Sequence, residues 1–119
     1  MITDLQGIPI HDSDQAILVA DDDGRYVDVN RPALDLLGYT RDELLGRTIW
    51  NITPAEYRDE GKAQFAQMAR SGEDAGRWLV VRADGTRLEI FYVATANAEP
   101  GRHASVIRPA APPLRFGLQ

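Results

Sequence analysis

The most constraining stretch of the sequence is an uninterrupted apolar run, AILVA at residues 16–20, which is followed at once by a turn and a second short segment. Such a run predicts a strand that is covered on both faces. The DDDG stretch at 21–24 predicts a tight turn, because Asp tolerates and Gly readily supplies a positive φ angle. RYVDV at 25–29 alternates apolar and polar residues, so we expect it to pair back on the first strand.

Two short helices are predicted after this hairpin. Asn30 fits the N-cap of the first helix, Pro32 lies in its first turn and Gly38 ends it. The TRDE sequence at 40–43 is a capping box for the second helix, which ends at Gly46.

A longer third helix is predicted from the TPAE sequence at 53–56. Thr53 is expected to be its N-cap, Pro54 its first residue, and Glu56 the side chain that reaches back to the backbone of the N-cap. The helix is expected to run to about Ser71 and to end at Gly72. One face of this helix is formed by residues spaced by about one turn: Tyr57, Gly61, Phe65 and Met68.

The remaining elements are strands. RWLVVR at 77–82 and TRLEIFYVATA at 86–96 flank the turn signal ADG, and HASVIR at 103–108 is the last strand. We therefore expect one domain over residues 14–109, preceded by a capping segment at 1–13 and followed by a proline-rich tail at 110–119.

Charge and cysteine content exclude several functions. A net charge of −5 in 119 residues argues against nucleic acid as a partner, because binding to its backbone needs clustered Lys and Arg. The chain has no Cys, which excludes disulfides, thiol catalysis and cysteine-linked chromophores. No signal peptide or membrane span is visible, so no membrane partner and a cytoplasmic location are expected.

Three of these stretches, in this order, resemble the PAS sensor family: AILVADDDGRYVDVNRPALDLLGY, TRDELLGRTIWNIT and VRADGTRLEIFYVATA. The resemblance covers residues 14–108. It implies an α+β fold with a five-stranded antiparallel sheet in the order 2-1-5-4-3 and with helices on one face. The run AILVA would then be the central strand, in agreement with its apolar character.

The resemblance implies a regulatory domain that binds a small ligand between sheet and helices and transmits the change through dimer or partner contacts. The alternative is a dimerisation or protein-interaction module without a ligand. Candidate pocket walls, each of which could equally be core, are Leu37, Trp50, Ile52, Tyr57, Phe65, Met68, Trp78, Val80, Ile90 and Tyr92. Buried Trp and Tyr need partners for their polar tips, and a glycine within a helix lets another group approach closely.

The common PAS cofactors are disfavoured, so the identity of any ligand stays open. Haem-binding relatives carry an axial His on the long helix, whereas this chain places His11 in the N-terminal segment and His103 in the last strand. Light-sensing flavin relatives and cinnamate-binding relatives need a Cys. Redox flavin relatives carry a Trp early in the third strand, and Trp78 is out of register with that position.

A second apolar sheet face predicts a protein partner. Leu79, Val81, Phe91 and Val93 alternate with the pocket-facing residues, and helices can cover only one face of the sheet. We expect a homodimer across this face, with the N-terminal segment at the interface. The interface candidates are Leu5, Ile8, Leu79, Val81, Phe91 and Val93.

Catalysis is the least favoured function. Asp28 and Glu89 are the obvious carboxylates, but both alternate with apolar neighbours and are expected to face solvent. The acidic triplet at 21–23 is expected to be a solvated turn, because consecutive Asp side chains point apart and nothing nearby completes a metal shell. The C-terminal stretch lacks a signalling heptad repeat, so an effector would belong to a longer chain or act in trans.

Overall fold

The computed structural model describes residues 1–110 and shows a five-stranded antiparallel sheet with helices against one face. The strands are β1 (Ala16–Asp21), β2 (Tyr26–Val29), β3 (Glu73–Val81), β4 (Arg87–Glu99) and β5 (Arg102–Pro109). The helices are α1 (Arg31–Leu37), α2 (Arg41–Leu45) and α3 (Arg58–Ser71), with 3₁₀ turns at Ile10–Asp12, Ile49–Ile52 and Ala55–Tyr57. Apart from Ala110, the predicted proline-rich tail lies outside the described residues.

The predicted fold class is confirmed, with sheet order β2-β1-β5-β4-β3. β1 pairs with both β2 and β5, and residues 16–20 are all buried, as the apolar run predicts. The prediction that this run forms the central strand is wrong: β1 is the second strand and β5 is the central one, because an apolar run indicates cover on both faces but not a position within the sheet. β3 begins at Glu73, earlier than the apolar pattern at 77–82 indicated. The reason is that residues 73–76, which carry no strand-like apolar pattern, still pair with β4, with Glu73 opposite Thr95.

Asn30 does more than cap α1, because its side chain also joins the N-terminal segment to the sheet. Its Oδ1 accepts hydrogen bonds from the N–H groups of Ile17 (2.9 Å) and Ala33 (3.3 Å). Its Nδ2 donates to the carbonyls of Ile10 (2.8 Å) and Gln15 (2.7 Å). The side chain is 1% exposed, so both ends of a buried amide are paired.

The short second helix has the predicted capping box, but the predicted start of the third helix is wrong. Thr53 does not cap α3: it is buried, its hydroxyl donates to the Ile49 carbonyl, and a 3₁₀ turn intervenes before Arg58. Glu56 does not reach back along the helix, because its carboxylate pairs with Arg87 on β4. The predicted end at Gly72 is confirmed, with φ of 96°.

Residues 1–13, the N-terminal segment, fold over part of the sheet face that lies opposite α3. Ile2 and Ile10 form a buried cluster with Ile17, Val19 and Ala104. Within the segment, the Asp4 carboxylate accepts hydrogen bonds from the Ser13 hydroxyl and from the N–H groups of Gln6 and Ile8. The segment therefore covers the β1 and β5 half of this face.

We expect the N-terminal segment to loosen at acid pH. The hydrogen bond from Ser13, followed by backbone N–H groups, lowers the pKa of Asp4 below its usual value. A lowered pKa means that the stabilisation is present above the unfolded pKa of about 4 and is lost as the pH falls through the folded pKa. Hydrogen exchange at constant pH should show faster exchange of the Ile8 amide in Asp4→Asn. Asp12→Asn, which is exposed in the same segment, is the control, and equal exchange in both variants would contradict the expectation.

Candidate functional site

A cavity of about 130 Å³ lies between the sheet face that carries α3 and the helix itself. Its wall combines the inner faces of β1, β3, β4 and β5 with α3 and the 3₁₀ turn at 49–52. The lining residues are Leu18, Ala20, Tyr26, Ile49, Ile52, Thr53, Gly61, Gln64, Phe65, Met68, Asp74, Trp78, Val80, Ile90, Tyr92, Ala94, His103, Ala104, Ser105 and Ile107.

Small residues on the inner strands leave the space for this cavity. Ser105 on β5 lies between Leu18 of β1 and Ala94 of β4 in the sheet register. The next pair of residues on the same face of the sheet, two positions further along β1, is Ala20 and His103. Because the neighbouring positions carry alanine or serine, the side chains of the sheet do not fill the space beneath α3.

Trp78 closes one side of the cavity beneath α3. A Cβ added to Gly61 would lie 3.1 Å from Cζ2 of the indole, which shows how closely the helix backbone approaches the ring. The indole Nε1 makes a long hydrogen bond of 3.4 Å to Thr53 Oγ1. A side chain at position 61 would therefore require the Trp78 ring to shift by a few tenths of an ångström, and Thr53 acts as a buried hydrogen-bond partner.

Three rings form an edge-to-face row at another side of the cavity. Phe65 of α3 packs against His103 with ring centroids 5.6 Å apart, and against Trp50 at 5.5 Å. Trp50 lies over the turn between β1 and β2, where a Cβ on Gly24 would be 2.6 Å from its ring. Phe65 thus lines the cavity, while Trp50 supports it from outside.

Both ring nitrogens of His103 are paired, although the residue is only 4% exposed. Nδ1 accepts a hydrogen bond of 3.0 Å from the Asn97 N–H, so the ring proton of the neutral form is on Nε2. Nε2 lies 2.8 Å from Asp22 Oδ1 and donates to it. His103 therefore ties the β1–β2 turn to the β4–β5 hairpin, and no ring nitrogen is free to bind iron.

Tyr92 carries a neutral hydroxyl at the rim of the cavity. The hydroxyl donates a hydrogen bond of 2.7 Å to Asp74 Oδ2. Burial, together with the neighbouring carboxylate, raises the pKa of Tyr92 far above its usual value. The phenol therefore stays protonated and acts as a donor rather than as a base.

The structure brings together most of the predicted pocket residues. Ile52, Phe65, Met68, Trp78, Val80, Ile90 and Tyr92 line the cavity. Three candidates do not: Leu37 is in the core, Trp50 lies behind Phe65, and Tyr57 is 38% exposed before α3, with its ring against Trp78. Sequence reasoning missed His103 and Ser105. Their alternation with Ile107 in HASVIR was the available signal, but it did not show which face of the strand would meet the helices.

The cavity does not fit the large cofactors found in PAS relatives. Its volume of about 130 Å³ is below the several hundred Å³ that drug-sized ligands occupy. The chain offers no Cys for a covalent chromophore. Haem would need a free imidazole at the cavity wall, and His103 is fully paired there. Haem and flavin therefore do not match the residues that are present.

The two carboxylates considered for catalysis lie away from the cavity. Asp28 is bridged by His11 and Arg41; burial alone would raise its pKa, but hydrogen bonds from Arg41, Val29 N–H and His11 hold it below its usual value. Glu89 is exposed on the outer face, 3.7 Å from Arg77. Within residues 1–110, no group of three or more His, Cys, Asp or Glu side chains is placed to hold a metal ion.

The sheet face opposite α3 is only partly covered. Here Phe91 lies between Arg77 and Arg108, whose guanidinium carbons are 4.8 and 4.6 Å from the ring centroid. Val93 beside it is 38% exposed. Of the predicted interface residues, Leu5 and Ile8 are exposed on the N-terminal segment, and Leu79 and Val81 are half-buried on β3. Together these six residues and the two arginines define the outer surface.

A five-stranded antiparallel sheet with helices against one face and a small cavity beneath α3 defines an α+β domain with space for a ligand. A sequence profile of the PAS domain family matches residues 14–107, and the chain belongs to this family. PAS domains are generally sensory and regulatory. Comparison with curated proteins gives no sequence match.

Solved PAS domains share the fold. One from Colwellia psychrerythraea superposes with a TM-score of 0.75 at 17% identity, covering 85% of this chain and 90% of that one. A domain of a sensory box sensor histidine kinase/response regulator from Geobacter sulfurreducens gives 0.71 at 25%, covering 83% and 86%. The PAS domain, in complex with ethanol, of a LuxR-family transcriptional regulator from Burkholderia thailandensis gives 0.70 at 18%, covering 84% and 92%.

No helix among residues 1–110 combines the length and apolar character that crossing a membrane requires.

Proposed function

We propose that this PAS domain is a non-catalytic sensor that binds a small molecule in the cavity beneath α3 and passes the change to an effector through the outer surface. The observation that carries the proposal is the apolar cavity of about 130 Å³, which is bounded by the sheet and by α3. A well-packed core has few voids larger than a water molecule, so a space of this size is a candidate ligand-binding site. The PAS domain from Burkholderia thailandensis, which has the same fold, was solved in complex with ethanol, and this supports a small molecule as the ligand class.

A change at the cavity wall has a short distance to travel to the outer surface, because both lie on the same strands of the sheet. Cavity-lining and outer residues alternate along β4, where Ile90 and Tyr92 face α3 and Phe91 lies between them on the outer surface. A change in strand twist caused by a ligand would therefore reposition Phe91 directly. His103 adds a second path, because it links the cavity wall to the β4–β5 hairpin through Asn97.

Native mass spectrometry combined with xenon NMR tests the sensor function. We expect either a bound mass that is lost on denaturation or xenon-induced shifts of the Met68 and Ile90 methyl signals, because apolar cavities of this size take up such probes. The exposed Met1 methyl is the internal control. If no mass is bound and xenon shifts none of the lining methyl groups, the domain has no usable cavity and the sensor proposal is overturned.

A second candidate function, dimerisation without a ligand, is favoured by the outer surface. The N-terminal segment covers the β1 and β5 half of the sheet but leaves Phe91 and Val93 partly exposed. Exposed apolar residues that are contiguous in this way are typical of protein interfaces. The sensor proposal uses the same surface, so the two functions differ in whether the cavity is occupied.

Phe91→Glu is expected to weaken self-association at least about tenfold. The variant loses the apolar contact of the ring, and association would remove the new carboxylate from water. The monomer should remain folded, since the new carboxylate would lie between Arg77 and Arg108. Sedimentation equilibrium measures the effect. Ala66→Glu adds the same charge on the exposed side of α3 and serves as the control. A wild-type monomer, or equal association in both variants, would rule out this interface.

A further inference from the structure

We infer that the cavity beneath α3 binds a small organic cation, an ammonium group carried on an apolar body, and that the Asp74 carboxylate bonds the ammonium group. The inference rests on the proposed sensor function and adds the chemical class of the ligand. It follows from the position of Asp74 in its strand, from the hydrogen bonds that Asp74 and Tyr92 already make, and from the charges along the cavity wall.

Strand alternation directs the Asp74 side chain toward α3. Residues 74, 76, 78 and 80 share one face of β3, and Asp74, Trp78 and Val80 of this set line the cavity. Gly76, between Asp74 and Trp78, has no side chain, and a Cβ added there would lie 3.8 Å from the Tyr92 ring. Asp74 is half-buried and the cavity is open to solvent on one side, so a ligand can reach the carboxylate from outside.

The hydrogen bonds already present leave only acceptors beside the carboxylate. The Tyr92 hydroxyl gives its single proton to Asp74 Oδ2 at 2.7 Å, and Asp74 Oδ1 accepts from the Ala75 N–H at 2.9 Å. A carboxylate has about four acceptor sites, so lone pairs remain on both of its oxygens and on the Tyr92 oxygen. A ligand group that bonds here must therefore be a donor, and an ammonium group offers up to three N–H donors.

The charges of the wall favour a cationic donor over a neutral one. Within the described part of the chain, Asp74 forms no ion pair and no Lys or Arg lines the cavity. The nearest basic residues in the chain, Arg70 and Arg77, are exposed, and His103 uses both ring nitrogens within the protein. An ammonium group would supply the counter-ion that the carboxylate lacks, and charge-assisted hydrogen bonds are about twice as strong as neutral ones.

The rest of the wall suits the apolar body of such a ligand. Phe65, Met68 and Ile90 line the same space, and the rings of Trp78 and Tyr92 are groups with which cations interact favourably. A divalent metal ion is disfavoured, because it needs six or more ligand atoms and residues 1–110 place no three His, Cys, Asp or Glu side chains together to hold one. An apolar wall with one carboxylate therefore favours an organic cation.

Benzylamine, which is protonated at pH 7, and benzyl alcohol are matched probes that differ only in an ammonium and a hydroxyl group. We expect the wild type to bind benzylamine at least about tenfold more tightly, the effect of one hydrogen bond to a charged group. Asp74→Asn should remove this preference while it keeps an acceptor for the Tyr92 hydroxyl. Glu73→Gln removes the same charge from the neighbouring exposed residue, which faces away from the cavity, and should keep the preference. NMR titration measures the dissociation constants.

Intermolecular nuclear Overhauser effects in the wild type should place the benzylamine methylene group beside the Tyr92 ring, a measurement that does not depend on the folding of Asp74→Asn. Their absence would overturn the inference. So would equal affinity of the wild type for both probes, a preference that Asp74→Asn retains, or a preference that Glu73→Gln also removes. If xenon shifts the lining methyl groups but benzylamine does not bind, this inference fails while the sensor function stands. If neither probe binds and xenon shifts no lining methyl group, the sensor function fails as well.

Discussion

Asn30→Asp is expected to lower the free energy of unfolding by about 3–5 kcal/mol, the range for an uncompensated buried charge. The replacement has nearly the same shape, but it exchanges the Nδ2 donor for an oxygen that faces the carbonyls of Ile10 and Gln15. At 1% exposure, water cannot take the place of the lost donor. Urea denaturation at pH 7, with the N-terminal segment followed separately by hydrogen exchange, measures the effect.

The same exchange at Asn51 is the control for this prediction. Asn51 is exposed, and its Oδ1 accepts from the Thr48 N–H at 2.8 Å, an interaction that a carboxylate preserves. Asn51→Asp should therefore change stability by less than about 0.5 kcal/mol. A loss below about 1 kcal/mol for Asn30→Asp would show that the amide donors of Asn30 contribute little, and its role as a link between segment and sheet would be wrong.

Gly61→Leu is expected to lower stability by up to about 2 kcal/mol and to abolish binding of toluene, a probe small enough for the cavity. Its side chain would meet the Trp78 ring, which lies 3.1 Å from the first added carbon, and would push the indole into the cavity. Overpacking of this kind costs about 1–3 kcal/mol, which the helix propensity of Leu over Gly offsets by roughly 1 kcal/mol. Thermal unfolding and NMR titration measure the two effects.

Ala66→Leu provides the comparison on the same helix. Ala66 is exposed, so Leu there meets solvent and should change stability by no more than about 0.5 kcal/mol without altering toluene binding. A fully stable Gly61→Leu variant that still binds toluene would show that α3 does not press against Trp78, and the account of the cavity wall would be wrong.

Local capping signals were reliable where no tertiary contact competed for the capping group. The Asn30 cap, the Thr40 capping box and the glycine that ends α3 are all where the residues predicted them. Thr53 was misread because TPAE satisfies the pattern of a cap, while the buried position beside Ile49 and Trp78 offers its hydroxyl other partners. A capping pattern does not contain the tertiary contacts that compete for the same hydroxyl.

The candidate site was predictable only in part. Residues on β3 and β4 were placed correctly because alternation along a strand determines which side chains share a face. Trp50 and Tyr57 were misplaced, since both lie in or beside 3₁₀ turns, where no simple period relates a residue to a face. Which face of β5 meets α3 depends on strands paired across the sheet, and this pairing is not written in HASVIR itself.

The sequence by itself determined the order of the elements, the fold and the buried character of β1, because the apolar run 16–20, the turn residues and the caps act over a few neighbouring residues. Only the tertiary structure decided where the cavity lies and what bounds it. The cavity exists because the small side chains of β1, β4 and β5 leave space beneath α3 that the larger side chains of Trp78 and Phe65 do not fill. That difference arises between segments distant in the chain, so packing in three dimensions sets it.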